Sequence, residues 1–279
     1  MKFYRCLGLA EVYSDMIKHI SSNGALTNPR GLPCRELRPV IIESHSPGEC
    51  MIPDPSVNYR FAMAEYMAMR CGWNDLSWPA RFNKNVAQFA EADGTFHGAY
   101  GTRLGFPSKY DAIIEKLSVD PDTRQAVLTL WNNDLDVLQY AKKDHPCNTQ
   151  IYFKVRKGEL DLTVFRRSAD VIWGVPYDHF VFGTLLCHMA EDLDVRPGVL
   201  REYIDSLHMY SPEAGFYDAD RVEEAAATLH TAIPIPEYMN QPDRSYTQVR
   251  DAIMTGAGTG PLSSYGRMLH NFLLRKPLT

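Results

Sequence analysis

Three runs in the middle of the chain constrain its fold most: "AVLTLW", "IYFKV" and "ELDLTVFRRS", all within residues 126–168. Each is rich in β-branched and aromatic residues, and turn chemistry separates them, notably Lys157-Gly158 in "RKGEL". They predict strands. The next segment predicts a helix, because "YDHFVFGTLLCHMAEDL" carries a long apolar face with an acidic end. "GVLREYIDSLHMY" returns as a strand, and "ADRVEEAAATLHTAI" is a further helix that "PIPEY" cannot continue.

Upstream, helices are predicted over 9–22 and 57–71, the second from the broad apolar face of "NYRFAMAEYMAMRC". Between them "NPRGLPCRELRP" reads as turn-rich, followed by strand-like "PVIIES". Residues 76–106 read as irregular, punctuated by "HGAYGTRLG", where glycines permit tight turns. "TGAGTG" lacks the lysine and the strand–helix setting of a phosphate loop and reads as a flexible loop. No composition break marks a linker, so the expectation is one mixed α+β domain over residues 1–279.

Composition narrows the function. With 45% hydrophobic residues and no long apolar run, a membrane span is not expected, and "MKFYRCLGLAEVYSDM" lacks the pattern of a secretory signal. The net charge of −5, without a cationic stripe, disfavours polymeric nucleic acid as a partner but leaves room for a small anion held by a few arginines. The six cysteines show no metal-type spacing and read as reduced thiols, which points to the cytoplasm, or a host's cytoplasm for a viral protein.

The candidate chemistry starts at Cys147 in "DHPCNTQ", after a proline and at a strand entry. Cysteine is commonly a core residue, but this position, near His145, Asn148 and arginines, suits a thiolate stabilised by positive charge. Arg166 and Arg167 face opposite ways on a strand, so only one of them shares a face with the neighbours of Ser168; the pair reads either as a solvated edge or as a phosphate site built from Arg167 and the Ser168 hydroxyl. Arg30 in "NPRG" and Arg124 in "PDTRQ" sit on turns. Asp178, before "HFVFGTLL", reads alone as a helix N-cap. His188, beside Cys187 on the apolar helix, reads as a core or interface histidine rather than a metal ligand.

Taken in order, the Pro-Cys strand entry, Arg-Ser-x-Asp some twenty residues later, Gly-x-Pro-aromatic and then His-x-Tyr resemble the thymidylate synthase family, over most of residues 10–215. That resemblance implies a large mixed β-sheet covered by helices and a homodimer paired through sheet faces. It implies that Cys147 is the nucleophile adding to C6 of a pyrimidine ring and that Glu65 is the general acid/base. Arg30, Arg167 and Ser168 would bind phosphate, joined by Arg124 from the second subunit. His208 and Tyr210 would bind the sugar hydroxyl, Asp170 the folate pterin, and Tyr100 would line the cavity. Phe89 takes a tryptophan position near the folate. The co-substrate would be 5,10-methylenetetrahydrofolate, with no metal.

The departures bear on the substrate. Synthases place asparagine where Asp178 stands, and its amide reads uracil; the phage deoxycytidylate hydroxymethylases of the same family carry aspartate there. They also read Ser-Leu-His-x-Tyr, as "SLHMY" does here. Gln125 replaces the second arginine of the phosphate turn, Asn148 replaces the histidine usual after the nucleophile, and "LLRKPLT" does not resemble the synthase tail. A carboxylate only accepts hydrogen bonds, and cytosine offers an amino group that needs an acceptor. The expectation is therefore a C5 hydroxymethyltransferase acting on a cytidine monophosphate, dCMP before CMP. A C5 methyltransferase on dCMP or dUMP is the chemical alternative, and a nucleotide-binding protein without catalysis is the alternative from another class.

Overall fold

The computed structural model describes residues 1–139 and 141–227; the tail sequences "TGAGTG" and "LLRKPLT", and the end of the helix expected from Ala219 onward, lie outside the described residues. The strands are β1 (Lys2–Cys6), β2 (Ala25–Thr27), β3 (Cys34–Leu37), β4 (Val40–Ser44), β5 (Val127–Thr129), β6 (Asn148–Arg156), β7 (Glu159–Arg166), β8 (Ala169–Asp170), β9 (Arg196–Ile204) and β10 (Leu207–Tyr210). The helices are α1 (Ala10–Asn23), α2 (Tyr59–Cys71), α3 (Tyr100–Leu104), α4 (Ser108–Val119), α5 (Asn133–Asp136), α6 (Val175–Asp192) and α7 (Ala219–Ala226).

The three central runs form β5, β6 and β7, antiparallel neighbours in a mixed six-stranded sheet of order β1-β4-β9-β7-β6-β5. Lys157 and Gly158, both at positive φ, turn the β6–β7 hairpin. This two-residue turn matches the twist of the strands it joins. β7 and β9 run parallel, so the chain must cross over between them, and α6 makes that crossing. Leu160, Leu162 and Val164 of β7, with Ile151 and Phe153 of β6, meet Phe180, Phe182, Leu185, Leu186 and Met189 of α6 in one buried core that also takes in α2. Each such side chain removed from water contributes about 1.5–3 kcal/mol. A second core packs α1 and α7 with β1, β4 and Val171–Ile172.

Two expectations are corrected. "NPRGLPCRELRP" contains β2's partner β3, which joins a second sheet of order β2-β3-β10-β8. "GVLREYIDSLHMY" is two strands, because the chain leaves the large sheet after Ile204 and enters the small one at Leu207. That switch is what carries His208 and Tyr210 to Asp170, through the parallel register His208↔Asp170. The mixed α/β architecture with helices on a large sheet is the expected fold class. No helix among the described residues is long and apolar enough to cross a membrane.

Among the described residues, nothing covers the outer face of the large sheet around Phe165 and Tyr203. Phe165 and Tyr203 stack on it with ring centroids 4.9 Å apart, Tyr152 lies edge-on to Phe165, and Phe3 is exposed nearby. Charges interleave the rings: Glu43 pairs with Arg5 and Arg201, and Arg201 also with Asp161.

Candidate active site

The site grows from the entry of β6. Cys147 precedes the strand, and its carbonyl accepts from the Arg167 N–H at 2.9 Å, tying the ends of β6 and β7 together. Arg167 is fixed by its own loop: Nε donates to the Pro146 carbonyl (3.1 Å) and Nη2 to the His145 carbonyl (3.0 Å). This leaves Nη2 at 3.9 Å and the Ser168 Oγ at 3.8 Å from the Cys147 Sγ, while Nη1 donates to Ser168 Oγ at 3.2 Å. Burial pushes the Cys147 thiol up; Arg167 and then Ser168 pull it back. A guanidinium beside a buried sulfur is the arrangement that makes a thiolate accessible.

Across the cleft stand three carboxyls. Glu65 comes from the middle of α2; burial drives its pKa well above the usual carboxylate range, and Asp178 and Asp144 add to the rise. Asp178 lies inside the first turn of α6, which starts at Val175, and its N–H donates to the Gly174 carbonyl at 3.0 Å. It is therefore not the helix cap that its sequence position alone suggests. Its Oδ2 accepts from Asn148 Nδ2 at 3.2 Å and lies 3.2 Å from Arg166 Nη1, and Asn148 Nδ2 also donates to the Tyr100 hydroxyl at 2.5 Å. Burial raises Asp178, with Arg166 the first opposing cause. Asp144 holds the Gly98 N–H at 3.0 Å and is also raised by burial.

Glycines set two of these contacts. A Cβ on Gly98 would lie 2.9 Å from the Pro146 nitrogen and 3.0 Å from Asp144 Oδ2, and one on Gly101 would lie 2.5 Å from the Met69 carbonyl on α2. Only glycine lets "HGAYG" press Tyr100 between the Glu65 helix and the Cys147 loop.

One side of the cleft is cationic, with Arg30 and Arg167 both lining it. Arg30 sits at φ 55° in the Pro29–Gly31 turn, a left-handed conformation uncommon outside glycine, and its positive charge opposes the rise that burial gives the Tyr210 hydroxyl. His208 and Tyr210 project from β10 with ring centroids 5.0 Å apart. Asp170 Oδ1 accepts from the N–H groups of Ile172 (2.7 Å) and Trp173 (3.0 Å), shaping the turn into α6. Phe89 ends a short 3-10 turn and is 38% exposed on the cleft wall.

A single cavity of about 560 Å³ is lined by Arg30, Glu65, Phe89, Tyr100, Cys147, Arg167, Ser168, Asp170, Asp178, His208 and Tyr210. Of the residues expected from the sequence, only Arg124 is not among those lining it; it is exposed on the turn before β5, beside Gln125. His97, Asp136 and His145 also cluster, but Arg103 donates to both Asp136 oxygens (2.8 and 2.7 Å), so a guanidinium already holds that carboxylate. His188 is buried and hydrogen-bonded to Tyr66 at 2.5 Å, as a core histidine should be.

Sequence reasoning missed Arg166 and Asp144. Arg166, offered as part of a solvated edge, is 2% exposed and pairs with Asp178 and Glu202. The signal was present: Leu160, Leu162, Val164 and Arg166 alternate onto the buried face of β7. Asp144, three residues before Cys147, carried no comparable signal.

Comparison with known proteins agrees with this geometry. The family description "Thymidylate synthase" matches residues 11–234. The deoxyuridylate hydroxymethyltransferase of Bacillus phage SP01 is 34% identical over 221 residues, covering 74% of this chain and 58% of that protein. The protein of the same name from Pseudomonas phage M6 is 30% identical over 218 residues, covering 75% and 62%. A putative bifunctional dihydrofolate reductase-thymidylate synthase of Oryza sativa subsp. japonica is 34% identical over 106 residues, 38% of this chain and 21% of that protein. The chain thus spans about three fifths of the length of the phage relatives it matches. With the family description covering most of its length, the chain belongs to the thymidylate synthase family.

Proposed function

We propose that the protein is a C5 hydroxymethyltransferase acting on a pyrimidine 2′-deoxynucleoside monophosphate, with cytosine as the base. The carrying observation is that the Cys147 sulfur, flanked by Arg167 and Ser168, opens into the same cavity as Glu65 and Asp178. Phosphate would be held by Arg30, Arg167 and Ser168, and the sugar by His208 and Tyr210. Asp178 would accept from the cytosine amino group. The open aromatic face of the large sheet supports a homodimer in which the partner copy supplies Arg124.

The donor set fits 5,10-methylenetetrahydrofolate as co-substrate: an apolar wall of Phe61, Phe89, Trp173 and Phe216 runs beside Asp170. When bound, the folate supplies an electrophilic one-carbon unit and departs as tetrahydrofolate. Cys147, losing its proton with Arg167 beside it, forms a bond to C6, and the ring electrons make C5 nucleophilic. After C5 takes the carbon and gives up its proton, an exocyclic methylene stands on the ring. Water adds there: its oxygen bonds the methylene carbon as the exocyclic double-bond electrons move into the ring, and its proton passes to Glu65, whose own proton has by then gone to the departing tetrahydrofolate nitrogen. The S–C6 bond then breaks, restoring the C5–C6 double bond and the thiolate.

Uracil is the second reading, favoured by the names of the two phage relatives and by the burial that pushes Asp178 toward its neutral form, which carries a donor as well as an acceptor. The test offers dCMP, dUMP, CMP and UMP with methylenetetrahydrofolate and weighs the products. Addition of CH2O to dCMP, abolished by Cys147→Ser, is expected. Addition of CH2 would defeat hydroxymethyl transfer, and turnover of dUMP alone would defeat cytosine.

A further inference from the structure

Arg166 is the feature of the site that no assigned role uses. It ends β7 on the buried face and does not line the cavity. Its Nη2 hydrogen-bonds Glu202 Oε1, whose other oxygen is bonded to His179 Nδ1 at 2.6 Å, and its Nη1 faces Asp178 Oδ2 at 3.2 Å. A guanidinium stays charged even when buried, so this cation demands anions around it. Glu202, whose burial is outweighed by Arg166 and His179 so that it stays below the usual carboxylate range, is one of them. Asp178 is the other.

Without Arg166, every other influence on Asp178 that is itself charged acts in one direction. Burial disfavours ionisation, and Glu202 is a like charge behind it. Only neutral donors, Asn148 and Tyr100, would remain to favour the anion. An ionised Asp178 presents acceptors alone, the complement of cytosine's amino group. A neutral one presents one O–H donor and one acceptor, the pattern of an amide, which pairs with uracil O4 and N3–H as well as with cytosine N3 and its amino group and so no longer rejects uracil. Arg166 Nε and Nη1 make no aligned hydrogen bond among the described residues, so the hold on Asp178 is electrostatic and leaves the carboxylate free to face a ligand.

We propose that Arg166 is a specificity-positioning residue that keeps Asp178 an acceptor and so selects cytosine over uracil. This rests on the base-reading role given to Asp178 above. It does not rest on hydroxymethyl transfer, because base choice can be read from binding alone.

The experiment measures equilibrium binding of dCMP and dUMP, without folate, to wild type, Arg166→Gln, Arg166→Lys, Asp178→Asn and the Arg166→Gln/Asp178→Asn double variant. Wild type is expected to bind dCMP more tightly. Arg166→Gln should move the dCMP/dUMP ratio toward uracil by about tenfold or more, the size of one mispaired buried hydrogen bond. Arg166→Lys, keeping the charge, should retain most of the wild-type preference. In the Asp178→Asn background Arg166→Gln should move the ratio by no more than about twofold, since coupled residues are not additive. Where Arg166→Gln does not fold, Arg166→Gln/Glu202→Gln, which removes both buried charges together, carries the same expected shift. A wild-type preference for dUMP, an unchanged ratio, an equal shift in the lysine and glutamine variants, or a full shift without Asp178 would overturn the assignment. A methyl product in the turnover assay would sink the transfer reading and leave these ratios standing.

Discussion

Glu65 costs the folded protein stability in order to be useful. Its carboxyl sits well above its ordinary value because α2 buries it near Asp178 and Asp144. A folded pKa above the unfolded one means the folded chain holds the extra proton between the two values. Stability therefore falls as pH rises from about 4.5 through that window. Glu65→Gln removes the penalty. Its melting temperature should exceed wild type by several degrees at pH 8 and by much less at pH 5, at roughly 2–4 °C per kcal/mol for a domain of this size. Turnover should fall by about 100-fold or more, as expected for a proton-transfer group. Calorimetry at the two pH values checks the first part; an equal gain at both would show that the carboxyl is not held neutral by its surroundings. Cys147 and the Arg167–Ser168 pair stood out from their own local pattern, while Glu65 was named only through the family resemblance; the structure brings all four to one cavity. Arg166 did not stand out, although its alternation with Val164 placed it inward, because a cation at a buried strand position makes sense only once Glu202 and Asp178 arrive from other elements.

Elements whose pattern is self-contained were the readable ones. α1 and α2 have their apolar faces within the segment, and the β6–β7 hairpin carries its own turn. α4 was passed over: Tyr110, Ile113 and Leu117 are its buried positions, spaced for a helix face, just beyond the residues 76–106 read as irregular. β3 was hidden by the prolines around it, and β1 gains its meaning only from parallel pairing with β4. The short α3 shows how little local pattern a functional element needs. Its position follows from backbone contact: Gly101 passes within a Cβ's reach of the Met69 and Ala68 carbonyls, 2.5 and 2.9 Å. Those obstacles are main chain and cannot swing aside. Gly101→Ala should destabilise the protein by about 1–3 kcal/mol. It should also lower turnover at saturating nucleotide more than it weakens nucleotide binding, since the displaced residue is Tyr100 beside Asn148 and not an arginine. Unchanged melting and turnover would show that α3 is free to move off α2.

At the scale of the molecule, the described residues cover the large sheet on one face with α6 and α2 and leave the other uncovered, where Phe165, Tyr203, Tyr152 and Phe3 lie between paired charges. Exposed aromatic rings gathered on one sheet face mark a surface that associates. A twofold pairing would bury the same patch on both copies and give two equivalent sites. Arg124, exposed before the edge strand β5 and absent from the cavity of its own chain, would in such a dimer reach the proposed phosphate site of the partner. This predicts complementation. Cys147→Ala and Arg124→Ala chains should each be nearly inactive as homodimers. In a mixed dimer one site lacks both groups, while the other has an intact Cys147 from one chain and an intact Arg124 from its partner. Equal amounts of the two chains, dissociated and reassociated at random, give half mixed dimers with one working site in two, so about a quarter of wild-type activity should return. Recovery that appears only after subunit exchange, and is absent when the two homodimers are mixed without it, is the outcome a shared site requires. No recovery after verified exchange would place Arg124 outside the chemistry and make the open sheet face an interface for something else.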